Sequence, residues 1–246
     1  MGKTPSAYRE IWNRKPVLQE IYADIYRRIL ATCVPGPILE IGGGSGNFKA
    51  FAPHAVSSDI VQAPWLNLVC DAQRLPFAEA SFANIVMVDV LHHLESPALF
   101  FAESMRVLKA GGRLIFCEPA ITPLSSIFYR LFHEEPFNMH VDPLANKKLS
   151  NDRNPWEANQ GIPSLIIGRY RDAVAKAFPN LTLVSTNYLS FLAYPLSGGF
   201  KPWTRLPAAA ARPLLAVEWR LRSLLGRLAA FRLLAAYEKR ARSQLC

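Results

Sequence analysis

A glycine-rich turn at the end of a short apolar run constrains the fold of this chain more than any other feature. Residues 38–48 read Ile-Leu-Glu-Ile-Gly-Gly-Gly-Ser-Gly-Asn-Phe, so an apolar strand leads into a tight turn and then into the start of a helix. Glycines at positions 42, 44 and 46 let the backbone turn sharply and approach a ligand without a Cβ atom in the way. The pattern predicts a strand whose end faces a bound small molecule.

The glycine spacing separates this turn from the dinucleotide-binding fingerprint. That fingerprint has two residues between its second and third glycines, whereas a single residue separates Gly44 from Gly46. The acidic residue before the turn, Glu40, also needs a partner, and the ammonium group of an amino acid moiety would supply one. Asp59 ends the next apolar run, where a carboxylate can accept hydrogen bonds from both ribose hydroxyls. Asp71 ends the third run, and Ala72 after it suits contact with an adenine ring.

Short apolar runs alternate with helical stretches from residue 37 onward. The predicted strands are 38–41, 55–59, 67–70, 84–89 and 113–118. A helix is predicted over 97–109, with a proline in its first turn and two glycines after its end. This alternation predicts a doubly wound, mostly parallel α/β sheet that is covered on both faces. The acids that end the first three strands then lie at the carboxyl edge of the sheet, where such folds bind ligands.

The remaining sequence surrounds this sheet, and 246 residues fit one domain. Its predicted segments are an N-terminal helical segment (1–36), a ligand-binding core (37–119), an aromatic cap insertion (120–168), a continuation of the core (169–195) and a basic amphipathic segment (196–246). The insertion is too long for an ordinary loop, which favours a functional cap over the site. The pattern of 231–238 fits a last strand or more helix equally well.

Positive charge is concentrated at the C-terminal end of the chain. Residues 196–246 contain ten Lys or Arg and two Glu, which leaves +8 of the total net charge of +9. Helical spacing of Leu214, Leu221 and Leu228, with arginines between them, predicts an amphipathic helix. Such a helix could rest on an anionic membrane surface, or it could be an ordinary core helix with solvated arginines. The uneven charge argues against a nucleic-acid partner.

Two further stretches carry a family resemblance. Residues 71–94 read DAQRLPFAEASFANIVMVDVLHHL, and residues 107–115 read VLKAGGRLI. With the glycine turn, in this order and spacing, they resemble the type-11 family of class I S-adenosylmethionine-dependent methyltransferases over roughly residues 37–119. One departure is Ala83, where the family usually has an aspartate. The resemblance implies S-adenosyl-L-methionine as cofactor, and it implies a binding site formed by Glu40, Gly42, Gly44, Gly46, Asp59, Ile60, Asp71, Ala72 and Asp89.

Candidates for acceptor chemistry follow the fourth and fifth strands. His92 and His93 lie beside the expected methyl donor, and the resemblance implies that His92 faces the acceptor; the alternative is that both are structural turn residues. A base is needed only if the acceptor must lose a proton. Glu118 either orients an acceptor or caps the fifth strand. His133 and His140 could enter the site from the insertion, or they could be ordinary surface or core histidines.

The aromatic insertion and the basic segment favour a hydrophobic or lipid-linked small-molecule acceptor. The alternatives are a quinone-type C-methyltransferase, a soluble O- or N-methyltransferase of a specialised-metabolite or sugar pathway, and a catalytically silent S-adenosylmethionine-binding partner protein. Four cysteines without C-x-x-C spacing indicate no metal site and favour a reducing compartment. With no secretory signal and no long apolar run, we expect a cytoplasmic protein, peripheral on the membrane if the basic helix binds lipid.

Overall fold

Seven strands form one sheet in the order β3-β2-β1-β4-β5-β7-β6 in the computed structural model, which describes residues 4–132, 135–145, 149–150 and 154–241. The strands are β1 (Ile38–Ile41), β2 (Val56–Asp59), β3 (Leu68–Val69), β4 (Phe82–Val88), β5 (Leu108–Pro119), β6 (Leu181–Leu189) and β7 (Arg232–Lys239). The first five pair in parallel, and β7 lies antiparallel between β5 and β6. The predicted doubly wound, mostly parallel sheet is therefore confirmed.

Eight helices flank the sheet in the described part of the chain. They are α1 (Pro5–Arg14), α2 (Pro16–Thr32), α3 (Pro97–Val107), α4 (Pro123–Phe132), α5 (Ile162–Ile167), α6 (Arg171–Ala177), α7 (Ala193–Ser197) and α8 (Ala208–Ala229). Single 3-10 turns follow β1 and β4, at Phe48–Ala50 and Leu91–His93. The predicted helix 97–109 ends at Val107, because β5 already begins at Leu108 and pairs there with Phe82.

Alternate residues of each central strand pack on opposite faces of the sheet. On β5, Leu114 and Phe116 belong to the core under α3, α5 and α6, whereas Ile115 and Cys117 belong to the core under α2, α7 and α8. Side chains alternate with period two along a strand, so a strand covered on both faces must be apolar throughout. This explains why the central strands read as continuous apolar runs.

The C-terminal segment contains a central strand as well as a helix. The undecided stretch 231–238 is strand β7, and Arg232 at its start is 2% exposed. Of the two alternatives for 231–238, the structure has the last strand of the sheet. Arg232 faces a carboxylate inside the protein and is not available to an external anion.

Candidate active site

The glycine turn lies at the carboxyl end of β1, and its conformation requires glycine. Gly42, Gly44 and Gly46 have φ angles of +73°, +42° and +76°, in the region that side chains disfavour. A Cβ atom on Gly46 would lie 2.4 Å from the Trp65 ring, whereas a Cβ atom on Gly44 would meet only the Gly42 carbonyl oxygen, at 3.8 Å. Gly44 therefore faces open space, as a residue that lies against a ligand should.

Two neighbouring residues hold the glycine turn in place. The Trp65 indole Nε1 donates a hydrogen bond to the Gly44 carbonyl oxygen (2.7 Å), and the Gly44 amide donates one to Asp59 Oδ2 (2.8 Å). The Arg9 guanidinium lies 4.3 Å from the centre of the Trp65 ring, so helix α1 covers this side of the turn. Sequence reasoning missed Trp65, which stands in a turn without any recognisable pattern.

Asp59 ends β2 beside the glycine turn. Its second oxygen, Oδ1, accepts the Val61 amide (2.9 Å), so both carboxylate oxygens are fixed by backbone donors and each keeps a free lone-pair direction. Ile60, the next residue, is 42% exposed although it is apolar. A fixed carboxylate next to an exposed apolar side chain suits a ribose with an adjoining flat base.

Glu40 is buried below the turn. Ser57 Oγ donates a hydrogen bond to Glu40 Oε2. Burial raises the pKa of Glu40 to about 7, although the Ser57 hydrogen bond and the Lys49 charge oppose that rise. A carboxylate in such a position is stabilised when a cation comes close, so it suits the ammonium group of an amino acid moiety.

Asp71 connects the end of β3 to the start of α3. Its Oδ1 atom accepts the Gln73 amide (2.9 Å) and the Gln73 side-chain Nε2 (3.0 Å). The Gln73 Oε1 atom in turn accepts the backbone amide of Ser96, the residue before α3. Ala72 is buried between these groups, at the same sheet edge as the glycine turn. The three predicted acids at strand ends thus lie along one edge of the sheet.

Asp89 pairs with a buried arginine of strand β7. It follows β4 with φ +59°, and its two oxygens accept from the two terminal nitrogens of Arg232, with 2.8 Å for the Oδ2 contact. Tyr22 Oη also donates to Oδ2 (2.9 Å). Burial alone would raise the pKa of Asp89, but the Arg232 guanidinium outweighs it and holds that pKa below its usual value. The predicted contact of Asp89 with the cofactor would therefore involve this pair.

Arg232 was missed as a site residue because it was counted with the basic C-terminal segment. A signal was nevertheless present in the sequence, since it is a single arginine inside the apolar run Ala229–Tyr237. A charge in a buried strand requires a partner of opposite charge. Only the fold shows which of the acids at the strand ends is that partner.

His92, which follows β4, and Glu118, near the end of β5, form a second buried pair. Glu118 Oε2 lies 2.6 Å from His92 Nδ1, while Glu118 Oε1 accepts the backbone amides of Val90 and Leu91, both at 2.8 Å. Burial disfavours the charged form of His92, but the hydrogen bond and charge of Glu118 outweigh it and raise the pKa of His92 to about 9. Glu118 is 0% exposed, so it acts through His92 and the turn and has no surface for an acceptor.

His92 also connects the sheet to the cap insertion. Its Nε2 atom lies 3.7 Å from Glu135 Oε2, and its carbonyl oxygen accepts the Asn159 amide (2.9 Å). His140 is exposed on the insertion; within the described residues, none of its hydrogen bonds reaches His92 or Glu118. The suggested residue His133 lies outside the described residues.

Two groups of side chains have donor atoms close enough to share a metal ion. They are Asp89, His92 and Glu118, and His92, His93 and Glu135. In the first group, each carboxylate already pairs with a cationic or protonated side chain of the protein. In the second, Gln160 Nε2 donates to Glu135 Oε2. The carboxylates of the first group are thus engaged in ion pairs within the protein, while Glu135 accepts a hydrogen bond from Gln160 and His93 Nδ1 contacts the Glu157 carbonyl oxygen.

Aromatic side chains from separate segments meet above the Asp89–Arg232 pair. The Phe200 ring lies 5.0 Å from Tyr8 of α1 and 5.5 Å from Tyr22 of α2, both edge-on, and Tyr8 lies 6.4 Å from Trp156 of the insertion. Tyr22 is buried, whereas Tyr8, Trp156 and Phe200 are partly exposed. The cap therefore includes the N-terminal helices and the segment after α7, as well as the predicted insertion.

Comparison with known proteins agrees with this architecture. Residues 39–116, about a third of the chain, match the family model of a methyltransferase domain. The ubiquinone/menaquinone biosynthesis C-methyltransferase of Bordetella parapertussis is 26% identical over 181 residues, which cover 61% of this chain and 68% of the relative.

Solved structures share the fold at low identity. The geranyl diphosphate C-methyltransferase of Streptomyces coelicolor A3(2), in complex with Mg²⁺, geranyl diphosphate and S-adenosyl-L-homocysteine, is 12% identical; the alignment covers 89% of this chain and 79% of that chain with a TM-score of 0.51. A [4+2]-cyclase is 14% identical, with coverage of 90% and 82% and a TM-score of 0.52. These likenesses establish the fold, and the reaction follows from the family match.

The sheet order and the family match together define a class I methyltransferase fold with S-adenosylmethionine as its cofactor. The chain is an S-adenosylmethionine-dependent methyltransferase, and its residues 39–116 match the family model of a methyltransferase domain. The alternative of a catalytically silent binding protein is therefore set aside.

Proposed function

We propose that this methyltransferase acts on an apolar small-molecule acceptor, and that a ring carbon of a quinone-type compound is the favoured methylation site. The observation that carries the proposal is the aromatic group Tyr8, Tyr22, Trp156 and Phe200 above the Asp89–Arg232 pair. Aromatic faces bind flat apolar rings well. The relative from Bordetella parapertussis, named for quinone C-methylation, supports the choice of acceptor class.

The cofactor's place in this proposal rests on the strand-end residues. Glu40 would face the ammonium group, the open position at Gly44 would admit the ligand, and Asp59 would accept from the ribose hydroxyls with Ile60 against the base. Asp71 and Ala72 would border the far end of the base. When bound, the cofactor supplies the methyl group on a sulfonium, so the chain's own contribution is to orient the acceptor in line with that bond.

His92 is assigned a positioning role in this proposal. A general base must be neutral at the working pH, and a pKa of about 9 keeps His92 protonated at pH 7. Its ring is almost fully buried and ties the end of β4 to Glu118 and to the cap residue Glu135. We therefore expect the His92→Gln variant to raise KM for the acceptor more than it lowers kcat, with the shape of the pH–rate profile retained.

A transfer assay with methyl-labelled S-adenosylmethionine tests the acceptor class. The panel contains a demethylated quinol, an apolar phenol, an apolar amine and a sugar, and carbon NMR locates the transferred methyl group. The proposal predicts label on a ring carbon of the quinol. Label on oxygen or nitrogen would favour the O- or N-methyltransferase alternative, and transfer to the sugar alone would overturn the apolar acceptor.

Two substitutions connect the assay to the aromatic group. Phe200→Ala removes the ring that contacts both Tyr8 and Tyr22, so it should raise KM for the acceptor about two- to tenfold, the effect of losing one aromatic contact. Tyr170→Ala, a half-buried aromatic at the start of α6, is the matched control and should leave KM unchanged. Equal effects of both variants would mean that the group does not bind the acceptor.

A further inference from the structure

Two neighbouring helices expose apolar side chains in stripes that the core does not explain. On α4 the exposed residues are Leu124, Ile127, Leu131 and Phe132, and on α8 they are Val217, Leu221, Leu224 and Leu228. Their exposure ranges from 39% for Leu221 to 76% for Leu224. Single exposed apolar residues are common, but rows of them on adjacent helices mark an interaction surface.

The two helices are fixed beside each other, so the stripes belong to one region of the surface. Helix α4 packs on α8 and on the start of β7. Tyr129 Oη donates to the Phe231 carbonyl oxygen (3.2 Å), and the Phe128 ring lies edge-on to the Phe231 ring at 5.1 Å. Thr122 Oγ1 donates to the Ala230 carbonyl oxygen (3.1 Å), at the end of α8.

The inward face of α8 is formed by Ala211, Leu215, Glu218 and Gly226. Gly226 packs so closely on β6 that an added Cβ atom would lie 2.6 Å from Tyr188 Cβ. The buried Glu218 carboxylate accepts the backbone amides of Leu192 (2.6 Å) and Ala193 (2.8 Å). These contacts and the buried Leu215 orient the helix so that Leu224 and Leu228 are exposed; α8 therefore packs on the core through Leu215 and not through Leu224 and Leu228.

The charge of this surface is one-sided. Helices α4 and α8 contain five arginines and a single acid, Glu218, which is 4% exposed and faces the protein interior. Arg212 pairs with Glu20, and Arg222 packs on Trp219. Arg130, Arg220 and Arg227 are exposed beside the apolar stripes. Exposed leucines flanked by guanidinium groups, with no exposed acid on either helix, complement an anionic amphiphile.

We propose that this α4–α8 face docks on an anionic phospholipid membrane. The face comprises Leu124, Ile127, Leu131, Phe132, Val217, Leu221, Leu224 and Leu228 with Arg130, Arg220 and Arg227. Its apolar side chains enter the headgroup–acyl boundary, and its arginines meet phosphate groups. No helix in the described ranges is long and apolar enough to cross a membrane, so the contact is interfacial.

Docking in this way would present the cap to the lipid. Helix α4 belongs to the insertion, whose residue Glu135 lies 3.7 Å from His92, just after β4. An apolar acceptor dissolved in the membrane would then lie on the same side as the cap. The docking proposal does not depend on the acceptor, because binding to lipid is measured without methyl transfer.

Vesicle co-sedimentation tests the docking face. The full chain is mixed with phosphatidylcholine vesicles, or with vesicles that also contain phosphatidylglycerol, at low and at high salt. The wild type should sediment with the anionic vesicles, less so at high salt, and remain in solution with the neutral ones. If it stays in the supernatant with anionic vesicles at low salt, the proposal is wrong.

Paired variants locate the contact. Arg220→Gln with Arg227→Gln should weaken binding about thirtyfold, the effect of two basic residues at an anionic surface. Leu224→Ser with Leu228→Ser should weaken it at least about tenfold. Leu99→Ser with Lys109→Gln, an exposed pair on α3 and β5, is the matched control and should bind like the wild type. Circular dichroism confirms that each variant is folded. If both face variants bind anionic vesicles as the wild type does, or if the control variant loses as much binding as they do, the proposal is wrong.

Discussion

Replacing Glu118 by glutamine should remove a pH-dependent part of the stability of this protein. Glu118 accepts two backbone amides through Oε1 and faces His92 Nδ1 through Oε2. A glutamine carbonyl can keep the two amide bonds, but the charge that holds the proton on His92 is lost. The pKa of His92 should then fall from about 9 toward its ordinary value of 6.5, since only the Glu135 hydrogen bond and the Asp89 charge still oppose the effect of burial.

The size of the effect follows from proton linkage. Raising the pKa of His92 from 6.5 to about 9 contributes about 3 kcal/mol to the free energy of unfolding. Because the folded-state pKa is the higher one, this contribution is fully present below pH 6.5 and is lost as the pH rises through about 9. The Glu118→Gln variant should therefore be less stable than the wild type by about 3 kcal/mol at the acidic end of this window. The difference should nearly vanish above it.

Urea unfolding across this pH window measures the difference, and the imidazole NMR signal reports the pKa of His92 directly. His93→Gln is the control, because burial lowers the pKa of His93. The contribution of His93 to the free energy of unfolding changes only below pH 6.5. His93→Gln should therefore leave the loss of stability between pH 6.5 and about 9 as it is in the wild type. Parallel stability curves for the wild type and Glu118→Gln, or a His92 pKa at or below 6.5 in the wild type, would refute the reasoning.

Two further predictions concern buried charges of the site. Glu40 has a pKa of about 7, so affinity for S-adenosylmethionine should rise about tenfold from pH 6 to pH 8 as this carboxyl ionises. Calorimetric titrations at both pH values measure this rise, which the Glu40→Gln variant should lack. Arg232→Met leaves the carboxylate of Asp89 without its cation and should cost about 3 kcal/mol in urea unfolding. Arg212→Met removes only an exposed pair with Glu20 and should have little effect; equal losses in the two variants would contradict the importance of the buried pair.

The sequence predicted those parts of the structure that depend on residues close together in the chain, such as strand ends and the glycine turn. Strand β1 begins and ends where the predicted strand 38–41 does, because flanking turns terminate it. The glycine turn at the end of β1 needs left-handed backbone, which only its own residues can provide. The predicted N-terminal helical segment 1–36 contains two helices, α1 and α2, and the break between them at Lys15 was not predicted.

Long-range partners account for what the sequence could not indicate. Arg232 looked like part of a basic tail until the fold paired it with Asp89, 143 positions away. Likewise, the leucines of α8 satisfied the spacing of a core helix, yet its buried face follows from Glu218 and Gly226, whose partners lie on other elements. Periodicity shows that a helix has two faces, and only tertiary contacts decide which of them is buried.

The most direct test of the account is a calorimetric titration with S-adenosylmethionine and, separately, with NAD. We predict that the wild type binds S-adenosylmethionine. Asp59→Ala should weaken this binding by about 1–3 kcal/mol, the usual cost of removing a charged group that accepts hydrogen bonds from the ligand. Gly44→Val should abolish binding, because its side chain fills the open space at φ +42°. Gly111→Val, at φ +74° with no neighbour within 4 Å, is the control for backbone strain and should still bind. Wild-type affinity in both site variants, or tighter binding of NAD, would contradict the account.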